Sequence, residues 1–353
     1  MKSASIIVLI LAVCAGCARA PQKQTGKSAA TAWQTGITVA DEPGNYNSDE
    51  ALAVYANAKS LGVRWIGLTP AGFMYDIHKP QVRWREQQNI GDAIDAIHAL
   101  GLAVTLKPYL WSGQFYRENT WTGEIEMQSE SDWMTFFHQY DDFILNYART
   151  AEQHHAELLC IGLELPKTLP RTVDWNNLIR QVRGVYHGMI TYASAGIDEA
   201  KNVPFWVAMD FIGVDAYCSL SDKSSPTDQE LYDGWKPFVK QLDSLSAAQG
   251  KKILFTEAGY RSCDGAACKP WEWAETNPHP VDVQLQARCY EALCKSFFSK
   301  PWFAGMYWWK YYATPTAGGL DDNDFTPQNK PAEKVIKKWY SAMDSLHAGN
   351  GLE

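Results

Sequence analysis

KKILFTEAGY, residues 251–260, sets four apolar or β-branched residues, Ile253 to Thr256, directly before Glu257 and the small pair Ala258-Gly259. The run reads as a buried strand, and a carboxylate at the carboxyl end of such a strand is where a parallel α/β barrel keeps catalytic groups. ELLCIGLELP, residues 157–166, repeats the arrangement with an apolar strand that ends at Glu164. The two glutamates are 257 − 164 = 93 residues apart, roughly three βα units at about 30 residues each.

Working outward from these two strands, apolar β-rich runs alternate with amphipathic stretches and count to eight: 36–40, 63–69, 102–108, 158–164, 188–193, 211–217, 252–257 and 303–309. Between them lie helical patterns such as 48–62, with Ser48 as N-cap and Gly62 as stop, and 88–101, ending at Gly101. Strand, helix, glycine stop and strand again is the grammar of a parallel barrel. An open doubly wound sheet would read similarly at first, but no Gly-x-Gly-x-x-Gly turn follows the first strand. The expectation is therefore an α/β chain forming a single (β/α)8 TIM barrel over residues 33–345, with a tail at 346–353.

At 353 residues with a formal net charge of −8 and no Lys/Arg cluster, the chain lacks the basic face that nucleic acid requires. Its 15 Trp and 17 Tyr exceed what a core needs. Indole and phenol rings are flat and half polar, which suits a groove that holds sugar rings. The expected partner is an uncharged oligo- or polysaccharide, with no cofactor and the chain acting as a monomer.

Residues 1–17 carry Lys2, an apolar run from Ile6 to Val13 and a small-residue exit, the pattern of a secretory signal. Ala15-Gly16-Cys17 resembles the lipobox of bacterial lipoproteins, which would make Cys17 the lipidated first residue and residues 18–32 a flexible tether. Plain cleavage after Ala18 or Ala20 is the alternative. Either way the expectation is an exported protein of the bacterial cell envelope, held at a membrane by the N-terminal lipid or free in the periplasm or outside. In such an oxidising place Cys263 and Cys268, flanking DGAA, are expected to pair. A zinc site built from Cys263, Cys268, Cys289 and Cys294 has the wrong spacing, and no metal is expected.

Cleaving a glycosidic bond needs one group to protonate the leaving oxygen and another to meet the oxocarbenium-like carbon. Two carboxyls do both if their surroundings drive their pKa values apart. Three strands apart, Glu164 and Glu257 would face each other across the barrel mouth.

The chain resembles glycoside hydrolase family 113, in the large clan of retaining barrels. The resemblance rests on LKPYLW (106–111), TWTGEIEM (120–127) followed by DFILNYARTAEQ (142–153), CIGLEL (160–165), DFIGVDAYCSL (210–220), FTEAGYRS (255–262) and FTPQNKPAEKVIKKWY (325–340). It implies a retaining β-mannanase or β-mannosidase-like hydrolase acting on β-1,4-linked mannan or manno-oligosaccharides, with Glu164 as acid/base and Glu257 as nucleophile. It also implies that Tyr217 hydrogen-bonds the nucleophile. Lys107 is expected in the groove on sugar hydroxyls, Trp308 rather than Trp309 as the floor of the sugar site, and Trp111 and Trp121 as stacking platforms for outer sugars.

One departure stands out. The residue before the acid/base is commonly Asn across the clan, bonding the substrate 2-hydroxyl, whereas this chain has Leu163. Ser194 likewise stands where a sugar-contacting amide is sought. The competing expectation is therefore a surface lipoprotein that keeps a glycosidase-like cleft for binding and has weakened catalysis. The run 318–324 reads as a mobile rim over the cleft, lacking the terminal Glu and spacing of a calcium loop.

Overall fold

The computed structural model describes residues 33–40, 46–85, 89–274 and 277–349. The expected leader, Cys17 and tether lie outside the described residues, as does the end of the tail, 350–353. Eight parallel strands close into a barrel: β1 (Gln34–Val39), β2 (Trp65–Leu68), β4 (Ala103–Leu106), β6 (Leu158–Leu163), β7 (Met189–Ala195), β8 (Ile212–Asp215), β9 (Ile253–Ala258) and β10 (Phe303–Tyr311), with β10 pairing back onto β1. These are the eight strands anticipated above, with ends moved by two residues at most. The chain is a (β/α)8 barrel.

Helices α1 (Asp49–Ser60), α2 (Asn89–Ala99), α4 (Glu130–Gln153), α5 (Thr172–Val185), α7 (Asp228–Gln249), α8 (Val283–Phe297) and α9 (Ala332–Gly349) lie around the barrel, with the short α3 (Gln114–Arg117) and α6 (Gly196–Ala200) in loops at its mouth. Local chemistry sets their ends. Ser48 Oγ accepts from Ala51 N at 3.1 Å to open α1, and Thr227 with Glu230 makes a reciprocal capping box on α7. Gly62 has φ +90°, and a Cβ there would meet the Ser341 backbone of α9 at 2.9 Å, so only glycine fits that stop. Helix α9 runs on to Gly349, past the expected barrel end at 345.

A second sheet escaped the sequence reading. β3 (Ala71–Phe73) and β5 (Tyr109–Trp111) pair in parallel and continue β2 and β4 beyond the barrel rim. Pro70 and Pro108 stand between each barrel strand and its continuation, and proline donates nothing to a ladder, so the pattern breaks there. This sheet raises one wall of the mouth.

Inside the barrel, Trp65, Leu158, Met189, Phe211, Leu254, Ala304 and Tyr307 pack together near the strands' amino ends. Tyr307 donates to Gln34 Oε1 at 2.7 Å within the same interior. The filled lower barrel leaves the carboxyl ends as the place for chemistry.

The cysteine expectation fails. All six described cysteines are free thiols. Two successive tight turns, Ala266 N to Cys263 O at 3.2 Å and Cys268 N to Gly265 O at 2.9 Å, turn the Cys268 thiol toward Lys223 O while Cys263 is buried beside Val281. The acidic loop is tied down by cations: Lys330 Nζ bonds Asp322 Oδ1 at 2.5 Å, and Lys310 Nζ lies 3.3 Å from Asp324 Oδ2.

Candidate active site

Glu257 ends β9 at 7% exposure. Register shifts on both flanks, between Val214 and Asp215 on β8 and between Met306 and Trp308 on β10, put an irregularity at this strand end. Such a bulge re-aims side chains, and here neighbouring Thr256 and Glu257 both reach groups in the mouth. Glu257 Oε1 accepts from Lys107 Nζ, and Oε2 accepts from the Tyr217 hydroxyl at 2.8 Å. Burial, then the charges of Glu257 and Asp215, hold the Tyr217 phenol well above its ordinary value. It therefore stays protonated as a donor to the carboxylate, the role expected of it.

Lys107 corrects the sequence expectation. At 2% exposure it lies beneath the site rather than along a sugar groove, and it also donates to Thr256 O at 3.2 Å. A buried ammonium needs an opposite charge in contact, and Glu257 supplies it. Burial alone would lower the Lys107 pKa, but Glu257 and Asp215 more than offset that and leave it raised. The pair is one cation on one anion.

Glu164 follows β6 with φ 52°, a left-handed backbone that a non-glycine residue rarely adopts. Its N–H donates to Ala193 O at 2.8 Å, so β7 fixes the turn that aims the side chain. Positions of this kind cost about 1–3 kcal/mol and persist where surrounding structure imposes them. Burial first, then the charges of Asp215, Glu257 and Glu199, raise the Glu164 pKa well above the carboxylate range. Glu164 is thus biased toward holding a proton while Glu257 sits in an ion pair with Lys107, the kind of difference that acid and nucleophile require.

Two carboxyls escaped the sequence reading. Asp215 ends β8 at 1% exposure, paired in register with Glu257 and accepting from Thr256 Oγ1 at 2.7 Å. Burial and then Glu257 raise its pKa to about 8. Its place at a strand end in GVDAY was a signal of the same kind as those used for the two glutamates. Glu199, on α6, accepts from Tyr192 OH at 2.5 Å and Ala195 N at 2.6 Å, while Tyr192 OH accepts from Leu165 N at 2.7 Å. Its pKa is pushed up to about 7, chiefly by burial. This chain of bonds braces the residue next to Glu164.

The tryptophans separate. Trp308 is fully buried and stacks on Tyr290 of α8 at 3.8 Å and 2°, so it faces the helices and not the cleft. Trp309 takes the cleft side, its ring 5.6 Å from Lys107 Nζ. Tyr307 points into the barrel, and alternation from it turns Trp308 out and Trp309 in. Trp111 is half-buried against Phe115, Tyr116 and Trp273. Trp121 is exposed and lines a groove of ≈ 680 Å³ with Pro166, Leu169, Ala195 and Glu199, on the Glu164 side of the mouth. Leu163 packs with Cys160, Ala193 and Tyr109. Ser194 Oγ donates to Gly213 O at 2.8 Å, which turns it away from any sugar.

The model of Glycoside Hydrolase Family 113 matches residues 36–330. The chain belongs to glycoside hydrolase family 113. Similar solved structures agree with that membership. The family 113 β-mannanase AaManA from Alicyclobacillus acidocaldarius, in complex with ManMIm, is 29% identical over 88% of this chain and 98% of its own, with a TM-score of 0.78. A family 113 β-1,4-mannanase is 25% identical over 88% and 99%, with a TM-score of 0.75. A Faecalibacterium prausnitzii β-glucuronidase, 13% identical over 88% of this chain and 49% of its own at TM-score 0.58, shares the fold. Among curated proteins none matches the sequence. As a family 113 member the chain is a glycoside hydrolase, with an oligo- or polysaccharide as its substrate.

Proposed function

We propose that this hydrolase cleaves β-1,4-linked manno-oligosaccharides or mannan with retention of configuration, by double displacement between Glu164 and Glu257. The observation that carries the reading is the placement of the two glutamates at the barrel mouth: Glu257 paired with Lys107 and Tyr217, Glu164 held at the end of β6 with its pKa raised first by burial. The similarity to β-mannanases supports the sugar.

In the first step a Glu257 carboxylate oxygen bonds the anomeric carbon while the glycosidic C–O bond breaks and Glu164 passes its proton to the leaving oxygen. In the second, Glu164, now a carboxylate, takes a proton from water whose oxygen displaces Glu257. Lys107 and Tyr217 hold the carboxylate in line before attack and receive it again at the end. Trp309 supplies the flat face beneath the reacting sugar. Leu163 lies in an apolar cluster, so the 2-hydroxyl contact common in the clan is left to another group. We place the enzyme as a monomer at the bacterial cell envelope, exported by its leader and anchored through Cys17, on the sequence pattern alone.

The test is a panel of aryl glycosides and β-1,4-mannan chains with wild type, Glu257→Ala and Glu164→Ala. β-Mannosides are cleaved best by wild type; Glu257→Ala loses that activity on every member, and Glu164→Ala loses it wherever the leaving group needs a proton. Binding of oligosaccharide by wild type without hydrolysis of any member refutes the reading.

A further inference from the structure

Two loops from opposite sides of the barrel mouth meet through aromatic rings. β4 and β9 stand four places apart in either direction around the eight-stranded ring. The chain leaving β4 passes through β5 to Trp111 and then to Tyr116 on α3; the chain leaving β9 runs out to Trp273. Trp273 stacks on Trp111 at 5.9 Å and 25°, and meets Tyr116 edge-on at 5.0 Å. Trp111 and Tyr116 are themselves 5.4 Å apart. Loops from opposite sides of the barrel thus meet beyond its carboxyl end.

The β9 loop is built to hold that position. Leu220 N donates to Ala267 O and Gly265 N to Ser224 O, both at 2.9 Å, which ties the loop to the one after β8. Ser262 Oγ donates to Asp322 O at 2.6 Å, which ties it to the loop after β10. Arg261 Nη1, bonded to Asn277 O at 2.8 Å, closes the loop on itself beyond Trp273. Its far end then rests on the wall raised by β5. Trp111 lies four residues past Lys107, up to about 13 Å higher at roughly 3.3 Å per residue. Glu257, bonded to Lys107, therefore lies on the barrel side of the rings.

Large rings gathered at the surface, with Tyr116 at 47% and Trp273 at 43% exposure, are not explained by core packing. We propose that the Trp111–Tyr116–Trp273 bridge roofs the catalytic cleft, so that a mannan chain enters only by threading an end beneath it, and the enzyme acts on chain ends and short oligosaccharides. An internal bond of a long polymer needs a groove open from above along its length; a bridge across the mouth denies it that approach. The inference rests on the β-mannan reading above and adds the mode of attack.

The experiment measures viscosity loss against reducing ends released from soluble β-mannan, beside hydrolysis of β-1,4-mannohexaose, for wild type, Trp273→Ala and Tyr116→Ala, with thermal melting of each. Wild type is expected to release reducing ends with little fall in viscosity. Opening the roof in either variant raises viscosity loss per reducing end severalfold, and raises the rate on polymer relative to hexaose. Both substituted side chains are largely at the surface, and either variant that melts with wild type suffices. A steep wild-type viscosity fall, like that of an enzyme cutting at random, overturns the proposal, as does an unchanged slope in a folded variant. Failure of wild type to cut hexaose or polymer would instead refute the mannan reading on which it stands.

Discussion

Replacing Lys107 with methionine keeps the length of the side chain and removes the ammonium that bonds Glu257. Both partners are nearly inaccessible, at 2% and 7% exposure, so water cannot take over the role of the missing charge. Tyr217 would remain as a donor at 2.8 Å, on the other carboxylate oxygen. Breaking a buried pair from one side typically costs about 3–5 kcal/mol, because the remaining charge is left uncompensated. At an unfolding entropy of about 2.1 cal/mol/K per residue, which for a barrel of this size is about 1.5 °C per kcal/mol, the melting temperature should fall by roughly 5–8 °C. The assay is denaturant unfolding of wild type, Lys107→Met, Glu257→Gln and the double variant. If the pair is one cation on one anion, the double variant recovers most of the lost stability, since neither charge is then stranded. A Lys107→Met loss below about 1 kcal/mol, the level of an exposed ion pair, would refute this reasoning, as would a double variant no more stable than Lys107→Met.

Asp215 is bonded to Thr256 rather than to either glutamate, so Asp215→Asn should retain kcat/KM within about tenfold, or about 1.4 kcal/mol, and a loss as large as that of Glu257→Gln in steady-state kinetics would show that a second anion is required. Glu164 is raised by burial and by Asp215, Glu257 and Glu199. A raised acid keeps its proton to higher pH, so the alkaline limb of kcat/KM should lie above the ordinary carboxylate region near about pH 4.3. With dinitrophenyl glycosides, whose leaving group needs no proton, Glu164→Ala should lose that limb; a limb that persists assigns it to another group. The two tryptophans of β10 should part company. Trp308→Ala empties a site stacked on Tyr290 and should cost about 3–5 kcal/mol of stability in denaturant unfolding, whereas Trp309→Ala should lower kcat/KM on oligosaccharides with a smaller stability loss. The reverse pattern would mean that Trp308 is the cleft residue.

The barrel and its two glutamates were legible because one signal carried both: short apolar strands separated by glycine-stopped helices, with a carboxylate just past the last apolar residue. What escaped depended on contacts that sequence spacing does not encode. Lys107 follows a strand as a sugar-binding lysine would, and only the bulge that turns Glu257 toward it makes it an ion-pair partner. Trp308 and Trp309 were a pair whose alternation was known but not its phase, which Tyr307 fixes by pointing inward to Gln34. Asp215 carries the same strand-end signal, but Tyr217 two residues on gives the strand a second polar end in sequence. The β3–β5 sheet was cut from view by Pro70 and Pro108. Cys263 and Cys268 are close in sequence, yet the turns between them direct one thiol to the Lys223 carbonyl.

The central claim is that Glu257 attacks the anomeric carbon while Glu164 supplies and retrieves the proton. Incubation with a 2-deoxy-2-fluoro β-mannosyl fluoride, followed by intact mass and peptide mapping, tests it most directly. The fluorine slows the second displacement and lets the covalent glycosyl-enzyme accumulate. The account predicts one added fluoromannosyl group, on Glu257, in wild type and none in Glu257→Ala. An adduct on another residue, or turnover of the fluoride with no adduct at any time, would contradict it.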